Sequence, residues 1–326
     1  MTRRAFVTAV VGALYAAPHI VGAQPRGPVY RLGILSPGRL APEDPYSFTV
    51  PLKALGYVEG RNLIVDRRYA EGQYDRLPAF ARELAALPLK VILAVGSSAI
   101  QAAKDATTTI PIVLLANGDP VAAGFVRSLG RPEANITGVL IAPEGSLAGK
   151  RLELLMAFVP RGKRVALLAP VDSGATWLQQ LVETKAAAAA LGLGLDVVEV
   201  QAADYRRAFA AIAALRPQAL VVGASGSLLR DRKEIIALAA EHRLPAIYEW
   251  PRQVKEGGLM SYGANEIETY QQVASYIDRI FRGAKPADMP IWQPSKLHLV
   301  INRRTANALG LTIPQSLLLR ANEVIK

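Results

Sequence analysis

Polar side chains follow several apolar segments of the chain, at positions where ligands of α/β proteins bind. Ser97 and Ser98 follow the apolar run at residues 91–95 and Gly96, and they begin a helical segment. Unpaired backbone N–H groups at a helix N-terminus, together with two hydroxyls, suit a carboxylate or a phosphate. The same serines could instead cap the helix, and one residue could do both.

Further candidates follow the other predicted strands. Asp119 could receive an ammonium or hydroxyl groups, although Asp-Pro is also a common turn and helix start. Trp250 could stack on a flat ligand or pack between domains, and Tyr262 could line a cleft or pack at a hinge. The ligand-binding residues predicted from the sequence are Ser36, Gly96, Ser97, Ser98, Asn117, Asp119, Asp172, Ser173, Ser225, Glu249, Trp250 and Tyr262.

The chain carries no residue pattern typical of an enzyme active site. Cysteine is absent, which excludes thiol nucleophiles, disulfides and thiolate zinc sites. Beyond the N-terminal segment the histidines are His242 and His298, and neither has a second ligand at metal-binding spacing. No serine lies in a G-x-S-x-G elbow, and GASG at residues 223–226 matches neither a dinucleotide fingerprint nor a Walker loop. We therefore predict no catalytic residues, no bound metal and no cofactor.

The candidate residues are carried by two similar stretches of sequence. Residues 74–116 and 204–250 each have the pattern of a helix, an apolar strand, a small-residue turn, a second helix and a strand introduced by proline. Strands that are apolar throughout are typical of parallel sheets covered on both faces. The sequence thus predicts an α/β fold of two Rossmann-like lobes, with parallel sheets flanked by helices. Because ligands bind at the carboxyl ends of such strands, two facing lobes would enclose a binding cleft.

Each predicted lobe combines two segments of the chain. Lobe 1 comprises residues 28–139 and 262–286, and lobe 2 comprises residues 140–261 and 287–326. A chain of 326 residues exceeds the length at which a single core stops growing. No low-complexity linker separates the lobes, so several short crossovers are expected to form the hinge.

The first 23 residues have the pattern of a signal peptide. Arg3 and Arg4 precede an apolar run at residues 5–17, and residues 21–23 (VGA) suit a signal peptidase. The apolar run is shorter than the about 20 residues that span a bilayer, so insertion in a membrane is not expected. The paired arginines fit either the Sec or the twin-arginine route. Since no cysteine is available for lipid attachment, the exported protein would lie free in a periplasm.

The formal net charge of +11 does not indicate a nucleic acid partner. Lysine and arginine occur in short scattered pairs such as Arg67-Arg68 and Arg303-Arg304. Nucleic-acid-binding proteins instead cluster these residues on one face, with aromatic residues between them.

Segments distributed over the chain resemble one known family when taken together. They are residues 55–78 (LGYVEGRNLIVDRRYAEGQYDRLP), 109–113 (TIPIV), 118–121 (GDPV), 135–138 (NITG), 149–155 (GKRLELL), 242–248 (HRLPAIY), 257–263 (GGLMSYG) and 308–325 (ALGLTIPQSLLLRANEVI). They resemble the ABC transporter substrate-binding protein family typified by tryptophan and tyrosine binders.

This resemblance implies a type I periplasmic binding protein with a multi-crossover hinge, in which hinge closure traps a ligand between the lobes for a membrane permease. It also implies that Ser97, Ser98 and Asp119 face the ligand from lobe 1, and Ser225 and Tyr262 from lobe 2.

The predicted function is therefore that of the periplasmic solute-binding component of an ABC uptake transporter. Such a protein would capture a small molecule, an amino acid or another small carboxylate, and deliver it to the membrane permease with its ATPase. We expect a monomer that is not an enzyme. A module that senses its ligand and signals to a membrane receptor would have the same fold, and this alternative stays open.

Overall fold

The computed structural model describes residues 27–38, 47–132, 134–142, 147–170, 175–201 and 203–326. The predicted signal peptide lies outside the described residues, as do the site candidates Asp172 and Ser173.

Within the described residues, the strands form a five-stranded sheet and a seven-stranded sheet, one in each lobe. The strands of the first sheet are β1 (Tyr30–Ser36), β2 (Leu63–Tyr69), β3 (Val91–Val95), β4 (Ile112–Ala116) and β5 (Ile136–Leu140). Those of the second sheet are β6 (Arg164–Pro170), β7 (Gly194–Val200), β8 (Ala219–Val222), β9 (Ala246–Tyr248), β10 (Met260–Ala264), β11 (Leu297–Asn302) and β12 (Glu323–Ile325).

Helices cover both sheets. They are α1 (Thr49–Ala54), α2 (Leu77–Ala85), α3 (Ser97–Ala106), α4 (Ala148–Met156), α5 (Ala175–Ala190), α6 (Tyr205–Leu215), α7 (Gly226–Arg230), α8 (Arg232–Glu241), α9 (Pro251–Lys255), α10 (Glu266–Phe281), α11 (Arg303–Ala308) and α12 (Gln315–Leu318). Two short 3₁₀ turns, Tyr74–Arg76 and Pro286–Asp288, also occur in the described chain. Among these helices none combines the length and the apolar character that crossing a membrane would require.

The two sheets repeat one topology. The strand order is β2-β1-β3-β4-β5 in the first sheet, and β7-β6-β8-β9-β10 continues the same order in the second before β11 and β12 are added. Strands β3 and β4 are therefore equivalent to β8 and β9. The predicted α/β fold with two parallel, helix-flanked sheets is confirmed, with one exception. Strand β11 runs antiparallel to β10, so the second sheet is mixed.

Apolar strand sequences explain the layered packing. Strand β4 (IVLLA) is fully buried, and β3 (VILAV) is buried except at Val95. Side chains that point to opposite faces of a strand contribute to different cores. In β3, Ile92 packs into the core that includes α3, whereas Leu93 packs into the core that includes α10. The fully buried strands therefore hold helices on both faces of the sheet.

The described elements place three connections between the lobes. The crossings follow Leu140, Ala264 and Trp292. The sequence predicted that the chain returns to lobe 1 at residue 262. The second crossing instead follows Ala264, because Tyr262 pairs with Leu299 in the second sheet. The sequence predicted that the chain returns to lobe 2 at residue 287. The third crossing instead follows Trp292, because Trp292 forms backbone hydrogen bonds with Gly138 and Leu140 of the first sheet.

Candidate functional site

A cavity of about 300 Å³ lies between the lobes, at the carboxyl ends of the parallel strands. This volume is at the lower end of the range of about 300–1,000 Å³ found for small-molecule sites. Strand-end residues from both lobes form its polar wall. Those predicted from the sequence that line the cavity are Ser36, Gly96, Ser97, Asn117, Ser225, Glu249 and Trp250.

The other predicted site residues lie elsewhere or outside the described chain. Ser98 does not line this cavity; it lines an adjoining depression on lobe 1, which Ser97 also borders. The Asp119 carboxylate accepts hydrogen bonds from the backbone N–H groups of Val121 (2.7 Å) and Ala122 (3.2 Å), so it caps a turn. The Tyr262 side chain packs partly buried against the core of lobe 2. No placement is described for Asp172 and Ser173.

Helix α3 presents an uncapped N-terminus to the cavity. Gly96 precedes the helix with φ +82° and ψ 154°, a conformation that only glycine adopts readily. No side chain caps the helix at this N-terminus. Ser97 is 3% exposed, and its hydroxyl has no hydrogen-bond partner among the described residues. Backbone donors and a buried hydroxyl therefore converge where an anionic group could bind.

Asn117 and Glu249 meet across the cleft. Asn117 follows β4 and Glu249 follows β9, so the two residues occupy equivalent positions in the two lobes. Asn117 Nδ2 donates a hydrogen bond of 2.8 Å to Glu249 Oε1. The Asn117 Oδ1 atom is buried and has no partner in the described part of the chain.

Glu249 is a buried carboxylate with a buried arginine behind it. Glu249 is 5% exposed and Arg151 is 3% exposed, and 3.5 Å separate Arg151 Nη2 from Glu249 Oε1. The Arg151 Nε atom donates to the backbone oxygen of Tyr262 at 2.7 Å. Burial raises the pKa of the Glu249 carboxyl, while the Arg151 guanidinium and the hydrogen bond from Asn117 oppose this shift. Burial also lowers the pKa of Arg151, against the effect of Glu249.

Three arginines that were not predicted from the sequence also line the cavity. Arg252 pairs with Glu266, Arg230 pairs with the adjacent Asp231 at 2.5 Å, and Arg232 pairs with Glu256 at 2.9 Å. Each of these cationic groups has an acidic partner. The wall is therefore close to neutral overall, which suits a neutral or zwitterionic ligand. The sequence signal that was available is the run RDR at residues 230–232, soon after the strand-end residue Ser225.

Aromatic side chains supply the apolar surface of the cavity. Besides the predicted Trp250, they are Phe48, Tyr74, Trp177 and Tyr270. Aromatic rings provide large contact areas and defined stacking geometries for a flat or apolar ligand group. Sequence reasoning missed these four because none of them directly follows a strand.

The lobes are in direct contact, so the cleft is closed. Besides the bond between Asn117 and Glu249, the Asp119 N–H group approaches Gln179 Oε1 of lobe 2 at 3.2 Å. The backbones of Gly38 and Gly226 also meet, and a Cβ atom on Gly38 would lie 2.8 Å from the Gly226 oxygen. The described residues contain no group of three His, Asp or Glu side chains that could hold a metal ion.

Comparison with known proteins assigns the chain to a family. A model of the family described as ABC transporter substrate binding protein matches residues 47–325. A relative named tyrosine-binding protein, from Clostridioides difficile, is 24% identical over 266 residues, which are 81% of this chain and 75% of that protein.

Solved structures show the same fold over most of the chain. A crystal structure of a conserved domain protein from Vibrio cholerae matches with a TM-score of 0.79 and 26% identity, over 91% of this chain and 99% of that one. The ABC domain from Streptococcus pneumonia in complex with L-Trp matches with a TM-score of 0.77 and 25% identity, over 90% and 100% of the two chains. These findings confirm the prediction made from the sequence segments: the chain belongs to the ABC transporter substrate-binding protein family.

Proposed function

We propose that this protein is the periplasmic solute-binding component of an ABC uptake transporter, and that it binds a small carboxylate or an amino acid between its lobes. The observation that carries the proposal is the cavity of about 300 Å³ at the carboxyl ends of the strands, between two lobes that are in contact. A solute enclosed there contacts both lobes, so its binding favours the closed arrangement over the open one.

The uncapped N-terminus of α3 is the proposed carboxylate subsite. Helix N-termini attract anions because their N–H groups are unpaired and the helix dipole is positive there. The buried hydroxyl of Ser97 adds a donor that has no partner among the described residues. Closure of the lobes removes these donors from water. A ligand carboxylate would then accept their hydrogen bonds.

Two further observations favour a ligand with an aromatic or large apolar group. Five aromatic side chains line the cavity: Phe48, Tyr74, Trp177, Trp250 and Tyr270. One relative is named a tyrosine-binding protein, and one similar structure contains L-Trp. Tyrosine and tryptophan are therefore the first ligands to test.

The cellular context belongs to the same proposal. The N-terminal pattern of basic residues, an apolar run and small residues supports export to a periplasm. Membership of the family supports a membrane permease with its ATPase as the partner. The protein itself would bind and release its ligand without chemical change.

A ligand screen tests the proposal. Residues 24–326 are purified, unfolded and refolded to remove carried-over ligand, and melted in the presence of amino acids, aromatic acids and small carboxylates. A ligand that binds only the folded protein raises the melting temperature in a saturable manner. We expect such a shift from at least one of these classes, with calorimetry giving one site per chain. No saturable shift from any of them, or turnover of a bound compound, would contradict the proposal.

A further inference from the structure

We propose that the buried ion pair between Arg252 and Glu266 keeps the ligand-free protein open. Arg252 lies in α9 of lobe 2, and Glu266 is the first residue of α10, which packs in lobe 1. The proposal goes beyond the proposed function, because it concerns the balance between the open and closed forms before any ligand binds.

The two side chains belong to elements that move with different lobes. Helix α10 follows the second crossing, and its residue Val273 packs in the core that also holds Leu93 of the first sheet. Helix α9 is fixed to the second sheet, where Asn302 Nδ2 of β11 donates a hydrogen bond of 3.0 Å to the backbone oxygen of Val254. The pair therefore joins the lobes, and Arg252 also lines the cavity between them.

Closure of the lobes removes both charges from water. In the closed structure the Arg252 side chain is 6% exposed and the Glu266 side chain is 2% exposed. Each charge is covered in part by the opposite lobe, so opening returns both to water. By contrast, the ion pair of Arg68 and Glu83, which lies within lobe 1, stays exposed in the closed form.

This loss of hydration makes closure of the empty protein unfavourable. The attraction between two buried charges often fails to compensate for the loss of their water, and apolar side chains of similar volume are often more stable at such positions. A pair that loses its water only on closure therefore shifts the ligand-free protein toward the open form. A ligand that contacts both lobes reverses the balance.

The open form keeps the cavity accessible. If only a fraction of the molecules is competent to bind, the apparent affinity falls by that fraction. A binding protein that closed while empty would lose affinity in this way, and its closed form would no longer report that a ligand is present.

Distances between spin labels test the proposal without any ligand. The chain contains no cysteine, so labels attach only where Arg61→Cys and Leu191→Cys place them. Both residues are exposed and precede the edge strands β2 and β7, which lie farthest from the crossings within the strand order that the sheets share. The closed structure supplies the label distance of the closed form. Double electron–electron resonance on residues 24–326, refolded to remove carried-over ligand, gives the fraction of molecules at that distance.

Variants of the pair should change this fraction in opposite directions. Arg252→Met/Glu266→Met has no charge to desolvate, and we expect its ratio of closed to open molecules to exceed that of the labelled protein with the intact pair by at least about 10-fold. Glu266→Met alone leaves the Arg252 charge buried on closure without this carboxylate, so it should show no more of the closed form than the protein with the intact pair.

The matched control removes an ion pair that lies within one lobe. Arg68→Met/Glu83→Met should leave the ratio unchanged, because these side chains are exposed and both belong to lobe 1. Thermal melts show whether each variant is folded. If Arg252→Met/Glu266→Met does not fold, Arg252→Gln/Glu266→Gln removes both charges in its place, with the same expectation.

Three results would overturn the proposal. They are a labelled protein that is mainly closed with its pair intact, an unchanged ratio in the folded double variant, and a ratio that rises as much in Glu266→Met or in the control. These measurements contain no ligand, so any of these results leaves the proposed function to be decided by the ligand screen.

Discussion

The two lobes are alike at their outer edges and different at the cleft. In lobe 1, Arg31 of β1 pairs through two hydrogen bonds with Asp66 of the edge strand β2. In lobe 2, Arg164 of β6 pairs in the same way with Asp196 of β7. Each acidic residue lies two positions beyond the residue in register with its arginine. The outer edges thus repeat the same interaction on the same scaffold.

At the cleft, equivalent positions carry different chemistry. The third strand of each lobe leads to a serine and a helix, but Ser225 caps α7 by accepting from Leu228 N, whereas no side chain caps α3 after Ser97. The fourth strands are followed by Asn117 in lobe 1 and by Glu249 in lobe 2. One lobe therefore offers an uncapped helix, the Ser97 hydroxyl and an amide, and the other offers a charge. We conclude that the repeated scaffold provides the fold, and that the departures from the repeat provide the binding chemistry.

The largest effect that we predict is on the buried pair. Arg151→Met leaves the Glu249 carboxylate buried without its cation, and we expect the free energy of unfolding to fall by about 3–5 kcal/mol. Equilibrium urea unfolding followed by circular dichroism measures it. The double variant with Glu249→Gln should recover part of the loss, because no uncompensated charge remains.

The matched control for this prediction is Arg164→Met at the outer edge. That pair is solvent-exposed, and exposed ion pairs contribute little, so its effect should be much smaller. Equal effects of the two arginine substitutions would mean that the cleft and the edge do not differ as we describe.

The second prediction concerns closure. Gly38→Ala places a Cβ atom 2.8 Å from the Gly226 oxygen, so the two backbones, which belong to opposite lobes, must move apart. We expect ligand affinity to fall at least about 10-fold, which is about 1.4 kcal/mol, with an unchanged melting temperature of the free protein. Gly130→Ala is the control, because a Cβ atom there meets no atom within 4 Å. Small-angle scattering should show less compaction with ligand for Gly38→Ala only.

The third prediction separates the adjacent serines. Ser97→Ala removes the buried hydroxyl at the α3 N-terminus, and we expect ligand affinity to fall about 3–10-fold, the value of a typical hydrogen bond. Ser98→Ala should leave affinity unchanged, since Ser97 lines the interlobe cavity and Ser98 does not. Calorimetry on both variants measures the difference. A larger loss of affinity in Ser98→Ala than in Ser97→Ala would contradict the proposed carboxylate subsite.

The fourth prediction concerns Asp119, which the sequence predicted to bind the ligand. Asp119 caps a turn, so Asp119→Ala should lower the free energy of unfolding by about 0.5–1 kcal/mol and leave ligand affinity unchanged. The same urea unfolding and calorimetry measure both quantities. A clear loss of affinity with unchanged stability would show that Asp119 contacts the ligand, as the sequence predicted.

Much of the fold could be predicted from the sequence because its signals are local. Strand β3 covers the apolar run at residues 91–95, and β4, β8 and β9 lie within the two similar stretches at residues 74–116 and 204–250, as the sequence predicts. Strand β11 was not predicted, and its antiparallel pairing depends on contacts with β10 that no local pattern encodes.

The site could be predicted only in part, because side-chain direction depends on the tertiary structure. Asn117 and Asp119 are separated by Gly118 at φ +83°, which turns the chain so that one faces the cleft and the other caps the turn. The pairing of Glu249 with Arg151 joins residues from distant elements, α4 and the end of β9. Sequence reasoning identified Glu249 as a strand-end residue and had no means of finding the arginine behind it.

The smallest effect that we predict concerns the outer pairs, which should behave alike. The hydrogen bond from Arg31 lowers the pKa of Asp66, and the hydrogen bond from Arg164 lowers the pKa of Asp196. A carboxyl with a lowered pKa in the folded state stabilises the protein above its unfolded pKa of about 3.9, and this contribution is lost as the pH falls through the folded value. Asp66→Asn and Asp196→Asn should therefore each cause a small loss of stability at pH 7 that disappears in acid. Urea unfolding at pH 7 and near pH 3 measures it, and a loss in one lobe without the other would show that the outer edges are equivalent in geometry but not in energy.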